Sequence, residues 1–127
     1  MQLMRAALVL LALCVPAAAQ QVGIAWRVSP SAEACRVFAG VSAKLFSYQV
    51  STGASAGYIM VFDATAAPAD GAVTPALPSV QIAASSTYNF SPTNPALFAN
   101  GITICFSTTG PFSKTASATA MLGAQVQ

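Results

Sequence analysis

The chain has very few ionisable side chains. None of its 127 residues is histidine, three are carboxylates and five are lysine or arginine. Catalysis needs positioned acids, bases, nucleophiles or metal ligands, so this scarcity argues against an enzyme. The carboxylates are Glu33, Asp63 and Asp70, and the cations beyond the first 20 residues are Arg27, Arg36, Lys44 and Lys114.

Motifs for metal binding and covalent catalysis are also missing. Without histidine or a cluster of ligands at metal spacing, the sequence excludes zinc and predicts no cofactor. Calcium held by Asp63, Asp70 and loop carbonyls remains an alternative. A glycosidase would need these two aspartates to face one bond, but a strand end and a turn favour aspartate for backbone reasons. A serine nucleophile would need Lys44 or Lys114 as its base, and Ser113 points away from Lys114 in an extended segment.

The first 20 residues, MQLMRAALVLLALCVPAAAQ, have the order of an export signal. One positive charge at Arg5 precedes apolar residues 6–15, and small residues follow up to Ala19. This apolar run is too short to span a bilayer. We predict a signal peptide over residues 1–19, cleaved after Ala19. A lipoprotein modified at Cys14 is an alternative, although a bulky leucine stands directly before that cysteine.

The remainder, residues 20–127, has the size of one domain with a modest core. Its four cations and three carboxylates leave a net charge of +1, and the cations are scattered. We therefore expect neither a nucleic acid nor, after signal cleavage, a membrane as partner. Most polar residues are uncharged, and such a surface is weakly protected by charge repulsion. This composition favours a protein partner or self-association for an exported, periplasmic or extracellular protein.

Two cysteines, Cys35 and Cys105, follow the predicted signal peptide. An even pair in an oxidising compartment predicts a disulfide. Closing this loop of about 70 residues would stabilise the fold by on the order of 3 to 4 kcal/mol. Two free thiols or an intermolecular bridge are the alternatives.

Clusters of Gly, Pro, Asn and Ser divide the chain into segments of strand length, and no amphipathic helical repeat lies between them. We predict an all-β domain, a single antiparallel β-sandwich of jelly-roll or Greek-key type with about seven or eight strands. The candidate strands are Val22–Val28, Cys35–Ala39, Ala43–Ser51, Tyr58–Ala64, Val80–Ala84, Thr87–Phe90, Ile102–Ser107 and Thr115–Gln125.

Alternation within two strands predicts which side chains face the core. Cys105 lies off the apolar row of its strand, so a bridge to Cys35 would cross a sheet face or an edge and not the centre of the core. The residues expected to share an inward face are Ile102, Ile104 and Phe106 in one strand and Phe46, Tyr48 and Val50 in the other.

Turn residues predict how the strands are connected. Asn100-Gly101 favours a hairpin with a type I′ turn, in which both central residues have positive φ. Gly110-Pro111 predicts a second hairpin between the last two long strands, and Pro68-Ala69-Asp70-Gly71 predicts a tight turn. Three prolines between Ala64 and Ser79 indicate a long, stiff connection that crosses between two sheets.

Four aromatic residues raise the alternative of a platform for sugars. Tyr58 is flanked by apolar residues and suits the core, whereas Trp26 is the best candidate for exposure. Trp26 is therefore the candidate ligand contact, and a glycan is the ligand class it suits. The four residues are Trp26, Tyr48, Tyr58 and Tyr88.

The runs YQVSTGASAGYIMVFDATAAPADGAVTP and GITICFSTTGPFSKTASATA resemble small β-sandwich proteins of tailed phages and prophages. The segments from Phe62 to Pro75 and from Phe106 to Ala120 carry the resemblance most directly. It implies a virion-associated protein and assigns no site residue. Virion proteins assembled in the host cytoplasm generally need no export signal. The resemblance therefore leaves two origins open, a bacterial relative or an exported product that joins an assembly outside the cell.

Taken together, the sequence predicts a non-enzymatic structural or surface-interaction protein, located on a virion surface or in an extracellular assembly. The alternative is an exported binding module that recognises a glycan or a cell-surface ligand through Trp26.

Overall fold

Eleven strands form in the part of the chain that the computed structural model describes, residues 24–127, which contain no helix. The predicted signal peptide, its cleavage site and the first two residues of the first candidate strand lie outside this range. The strands are β1 (Ala25–Val28), β2 (Cys35–Ala39), β3 (Ala43–Thr52), β4 (Gly57–Phe62), β5 (Gly71–Ala72), β6 (Val80–Ile82), β7 (Thr87–Phe90), β8 (Ala96–Phe98), β9 (Ile102–Ser107), β10 (Ser113–Lys114) and β11 (Ala120–Val126).

These strands form two main antiparallel sheets and a short ribbon. Sheet A has the order β1-β11-β3-β7, with β8 also paired to β3, and sheet B has the order β2-β9-β4-β6. The ribbon consists of β5 and β10. The main strands pair in nested fashion, β4 with β6, β3 with β7, β2 with β9 and β1 with β11. Nested pairing across two sheets is the topology of a jelly roll, so the predicted all-β sandwich is confirmed.

The hydrophobic core lies between the two sheets. Ile102, Ile104 and Phe106 of β9 are fully buried there, as their alternation predicted. Sheet A contributes residues that include Leu45, Val50 and Leu122. Side chains of both inner faces interdigitate in one cluster, which fixes the register of each strand because a slip by one residue would expose its apolar set.

The prediction for the inward face of β3 was wrong at its start. Strict alternation would place Leu45 and Tyr48, three positions apart, on opposite faces of the strand, yet both are buried in the core. Phe46, which was expected to face the core, is partly exposed. The pairing with β11 explains this. Gln125 pairs with Ser47 and the next residue, Val126, pairs with Leu45, so Phe46 between them has no partner in β11. The extra residue is a β-bulge, which reverses the alternation on one side of it.

Three of the predicted connections differ from those in the structure. Asn100-Gly101 joins β8 in sheet A to β9 in sheet B, so it does not close a hairpin. Positive φ occurs only at Gly71 and Ser85 within residues 24–127, so the turn is not type I′. Gly101 is required for space, since a Cβ there would lie 2.6 Å from the carbonyl oxygen of Ala39.

The proline-rich connection was also placed wrongly, because it links β4 and β6 of the same sheet and does not cross between sheets. The hairpin predicted at Gly110-Pro111 was wrong too, because the long strands on either side of it, β9 and β11, belong to different sheets. This loop closes only a local turn, in which Thr108 N–H donates to the Thr115 carbonyl at 3.0 Å. The last long strand, β11, lies in sheet A, where it pairs with β1 and β3. Long-range partners inside the sandwich therefore outweigh the local turn signals.

A second apolar cluster covers the other side of sheet B. Met60, Phe62 and Cys105 are its buried members, and Val73 packs against them. Val73 belongs to a cap formed by residues 63–79 and 108–119, which contain β5 and β10. The N–H of Val73 donates to the Phe112 carbonyl at 3.0 Å, which joins the two parts of the cap. Sheet B is therefore covered on both faces, whereas no described segment covers the outside of sheet A.

Candidate interaction surface

Asp63 stabilises the turn between β8 and β9. Its carboxylate accepts hydrogen bonds from the backbone N–H groups of Asn100 at 2.8 Å, Gly101 at 3.2 Å and Ala99 at 3.3 Å. These donors, that of Asn100 above all, lower the pKa of Asp63 from its ordinary value. The carboxylate thus has a structural role at a strand end, as the sequence indicated.

Asp70 and Lys114 connect the two halves of the cap. Lys114 is 3% exposed, and its ammonium group donates to the carboxylate of Asp70. That carboxylate also accepts the N–H of Ala116 at 3.2 Å. The hydrogen bond from Lys114, followed by that from Ala116, lowers the pKa of Asp70. Ser113 is exposed and faces away from Lys114, so these neighbours do not form a dyad.

The charged groups of β1, β2 and the segment between them also have structural partners. Glu33 and Arg36 form a partly exposed salt bridge of 3.0 Å near Cys35. Arg27 donates to the Phe38 carbonyl at 2.8 Å and so joins the edges of the two sheets. Within residues 24–127 no group of three or more His, Cys, Asp or Glu residues could hold a metal ion.

Cys35 and Cys105 form a disulfide between neighbouring strands β2 and β9. The bridge lies on the side of sheet B that carries Met60 and Phe62, away from the main core. This confirms the pairing and its predicted position on a sheet face. A disulfide is compatible with an exported protein. The described residues include no helix able to cross a membrane.

The four aromatic residues do not form a platform. Tyr48 is buried in the core, where burial raises its pKa, and its ring stacks on Phe90 at 5.0 Å between centroids. Tyr88 packs against the same core, and Tyr58 packs in the second cluster. Trp26 is 50% exposed on β1, which confirms it as the exposed member of the set.

Trp26 belongs to a larger surface, the outside of sheet A, which we call the outer face. Strand register places its residues in three rows across the sheet. None of the residues in these rows is charged; Lys44 of β3 is exposed on the same side of sheet A but lies beyond the rows, opposite Leu97 of β8. The rows consist of Trp26, Gln125 and Ser47 in the first, Val28, Gly123, Gln49 and Asn89 in the second, and Met121, Ser51 and Thr87 in the third.

Cross-strand hydrogen bonds order the polar part of the outer face. The Ser47 hydroxyl donates to the Gln125 side-chain oxygen at 2.8 Å, and the hydroxyls of Ser51 and Thr87 lie 3.0 Å apart. These bonds hold the side chains in place before any partner binds, which lowers the entropy cost of binding. Gln49 is exposed near the centre, between the apolar residues of β1 and the polar residues of β7.

The sequence indicated Trp26 but not the rest of this surface. Val28, Met121 and Gln49 come from three strands that are far apart in the chain, and only their register brings them together. A local signal existed in β11, where Met121, Gly123 and Gln125 alternate with buried residues. We expected this strand to begin at Thr115, but it begins at Ala120. The expected strand therefore included five residues that do not belong to the alternating pattern.

A concave surface lies on the cap. It is an open cleft of about 440 Å³, lined by three prolines with Leu77, Ser79 and Phe112. The Ser79 hydroxyl donates to the Pro111 carbonyl at 2.9 Å and holds the two walls together. This bond uses the only side-chain hydroxyl of the lining, so the cleft has less hydrogen-bonding capacity than the outer face.

Comparison of the chain with protein-family models, with curated proteins and with solved structures finds no match.

Proposed function

We propose that this protein is a non-enzymatic structural or surface-interaction protein, which decorates a virion or forms part of an extracellular assembly through its outer face. The observation that carries the proposal is the absence of any charged side chain from the three rows of that face. Depletion of charge with exposed Trp and Met is typical of the centre of protein interfaces. Trp26 and Met121 are 50% and 44% exposed here.

The placement of the ionisable groups also supports a non-enzymatic role. Asp63 supports a turn, and Asp70 neutralises the buried ammonium of Lys114. Each of these groups has a structural partner, and neither lies in the apolar cleft of the cap. Lowered carboxylate pKa values suit charge pairing and turn stabilisation, whereas a general acid needs a raised one.

The fold and the phage-like segments favour the same class of function. Jelly rolls occur in viral capsid and lectin domains, which is an analogy at the level of the fold. The segments from Phe62 to Pro75 and from Phe106 to Ala120 meet in the cap through β5 and β10. In a virion-associated protein the cap would therefore be a stable part of the fold, and the outer face, on the opposite side of the molecule, would make the contact.

Co-sedimentation tests this proposal. The purified protein is mixed with particles from the producing culture and separated on a density gradient, and we expect it to move with the particles. Gln49→Glu should reduce binding by about tenfold or more, because a carboxylate buried without a counter-charge is strongly disfavoured. Val37→Glu adds the same charge to exposed β2 of sheet B and should bind as the wild type does.

The proposal is wrong if the protein stays in the soluble fraction at every concentration, or if the two charged variants bind equally well. Capsid and tail genes beside its own gene would independently favour a virion role.

A second function has its own supporting observation. Trp26 is half-exposed beside the amide of Gln125, and stacking plus hydrogen bonding is the combination that sugars require. An exported glycan-binding module would give signal on a glycan array and lose it in Trp26→Ala. An array without signal, or full binding by this variant, rejects the second function.

A further inference from the structure

Strand β1 forms an open edge of sheet A. It pairs with β11 on one side, and no strand within residues 24–127 pairs with its other side. All four of its side chains are exposed. An open edge presents backbone N–H and C=O groups to which another strand can pair, and proteins usually blunt such an edge with charge, proline or a bulge. The ladder between β1 and β11 has no bulge and no proline, and the one charged side chain of β1, Arg27, donates to the Phe38 carbonyl of β2.

The register identifies which backbone groups face the open side. Ser29 N–H donates to the Leu122 carbonyl at 2.8 Å, and the N–H of Leu122 donates to the Ser29 side-chain hydroxyl at 2.9 Å, so Ser29 faces β11. Bonded and non-bonded pairs alternate along an antiparallel ladder, so Arg27 and Ala25 also face β11. The N–H and C=O groups of Trp26 and Val28 therefore point away from the sheet.

We propose that two copies of this chain associate through their β1 edges, antiparallel about a twofold axis that passes beside Trp26. In this register Trp26 lies opposite the same residue of the second copy, and Ile24 lies opposite Val28. By symmetry the contact between Ile24 and Val28 occurs twice, which gives three pairs. Each pair exchanges two hydrogen bonds, because the alternation along β1 also turns the backbone groups of Ile24 outward. Such an interface is isologous and closes as a dimer.

The side chains select this register from the neighbouring ones. A shift that centres the axis on Arg27 would place two arginines directly opposite each other, which is destabilising. Centring the axis on Trp26 places Arg27 opposite Ala25 instead. It also aligns the exposed apolar residues of this edge, Ile24, Trp26 and Val28, which are 39%, 50% and 55% exposed.

The dimer would have one continuous sheet in the order β7-β3-β11-β1-β1-β11-β3-β7. The rows of the two outer faces would then form one uncharged surface. This inference goes beyond the proposed function and does not depend on it, because edge pairing requires neither a virion nor a glycan.

Sedimentation velocity of the purified protein over a range of concentrations tests the proposal, and we expect a monomer–dimer equilibrium. Amide hydrogen exchange followed by NMR locates the contact. The amides of Trp26 and Val28 should become protected as concentration rises, whereas those of Ala25 and Arg27 should be protected at every concentration because they bond to β11.

Three variants separate edge pairing from other contacts. Trp26→Lys places two like charges opposite each other and should raise the dissociation constant by about tenfold or more. Val28→Pro removes an outward N–H and leaves the bonds to β11 intact, so it should give a monomer. Met121→Lys adds the same charge to the same face on an interior strand and should dimerise normally. If Val28→Pro fails to fold, Trp26→Lys and Met121→Lys still form a matched pair.

A monomer at every concentration overturns the proposal. So does a dimer in which the Trp26 and Val28 amides exchange as in the monomer, or equal weakening by Met121→Lys and Trp26→Lys. Gln49→Glu should bind particles poorly but still dimerise, which distinguishes failure of the proposed function from failure of edge pairing.

Discussion

Cys35 and Cys105 lie directly opposite each other on β2 and β9, with their Cα atoms 4.0 Å apart and a separation of 70 positions in sequence. The bridge joins an edge strand to an interior strand of sheet B and is covered by Met60 and Phe62 of the second cluster. It therefore links two ends of a long loop without interrupting the main core.

Removal of this disulfide should destabilise the protein strongly. We expect Cys35→Ala combined with Cys105→Ala to lower the free energy of unfolding by about 4 kcal/mol, because the unfolded chain regains the entropy of a long loop. Urea titration measures the loss, and the wild type in reductant is the control. Equal midpoints for oxidised wild type and double variant would contradict the prediction. Intact mass under non-reducing conditions checks the bridge and the cut after Ala19 together.

The ion pair of the cap should respond unequally to removal of its two partners. Asp70→Asn leaves the ammonium of Lys114 buried without a counter-charge, whereas Lys114→Met leaves a half-exposed carboxylate that water solvates. We therefore expect Asp70→Asn to be the more destabilising change by thermal denaturation. Adding Lys114→Met to Asp70→Asn should recover part of the loss, and a further loss in the double variant would contradict this account.

Stability should fall in acid because of the two aspartates. Hydrogen bonds lower the folded-state pKa values of Asp63 and Asp70 below their ordinary 3.8, so folding favours the ionised forms. The resulting stabilisation is present above about pH 4 and is lost as pH falls through the lowered pKa values. Urea midpoints at pH 7, 4, 3 and 2 measure the decline.

Asp63→Asn provides the control for this pH dependence. The variant should be less stable than the wild type at pH 7, since an amide has one accepting oxygen and no charge. It should also lose less stability between pH 4 and pH 2. Parallel pH profiles for the two proteins would rule out a contribution from Asp63.

Two glycines test how tightly the strands pack. A Cβ at Gly57 would lie 2.2 Å from the backbone oxygen of Ser107 on β9, whereas one at Gly40 would meet nothing within 4 Å. Gly57→Ala should cost about 2 kcal/mol or more, because neither backbone can move far. Gly40→Ala should change stability by less than about 0.5 kcal/mol. Chemical denaturation compares the two, and similar losses would disprove the close contact.

The sequence predicted individual strands better than their connections. Turn residues and β-branched runs located Cys35–Ala39, Thr87–Phe90 and Ile102–Ser107 with the observed bounds. Three short strands were not predicted, because β5, β8 and β10 contain only two or three residues and depend on their partners. The hairpin predicted at Asn100-Gly101 was wrong because its two flanking strands belong to different sheets.

The sequence by itself determined the composition, the all-β character, the paired cysteines and the exposure expected for Trp26, since these depend on local residue types. Tertiary structure decided the nested pairing of strands, the bulge beside Phe46 and the three rows of the outer face. These depend on contacts between residues far apart in the chain, such as Trp26 with Gln125. No local pattern specifies them, because register is set by burial of one whole face of each strand against the other sheet.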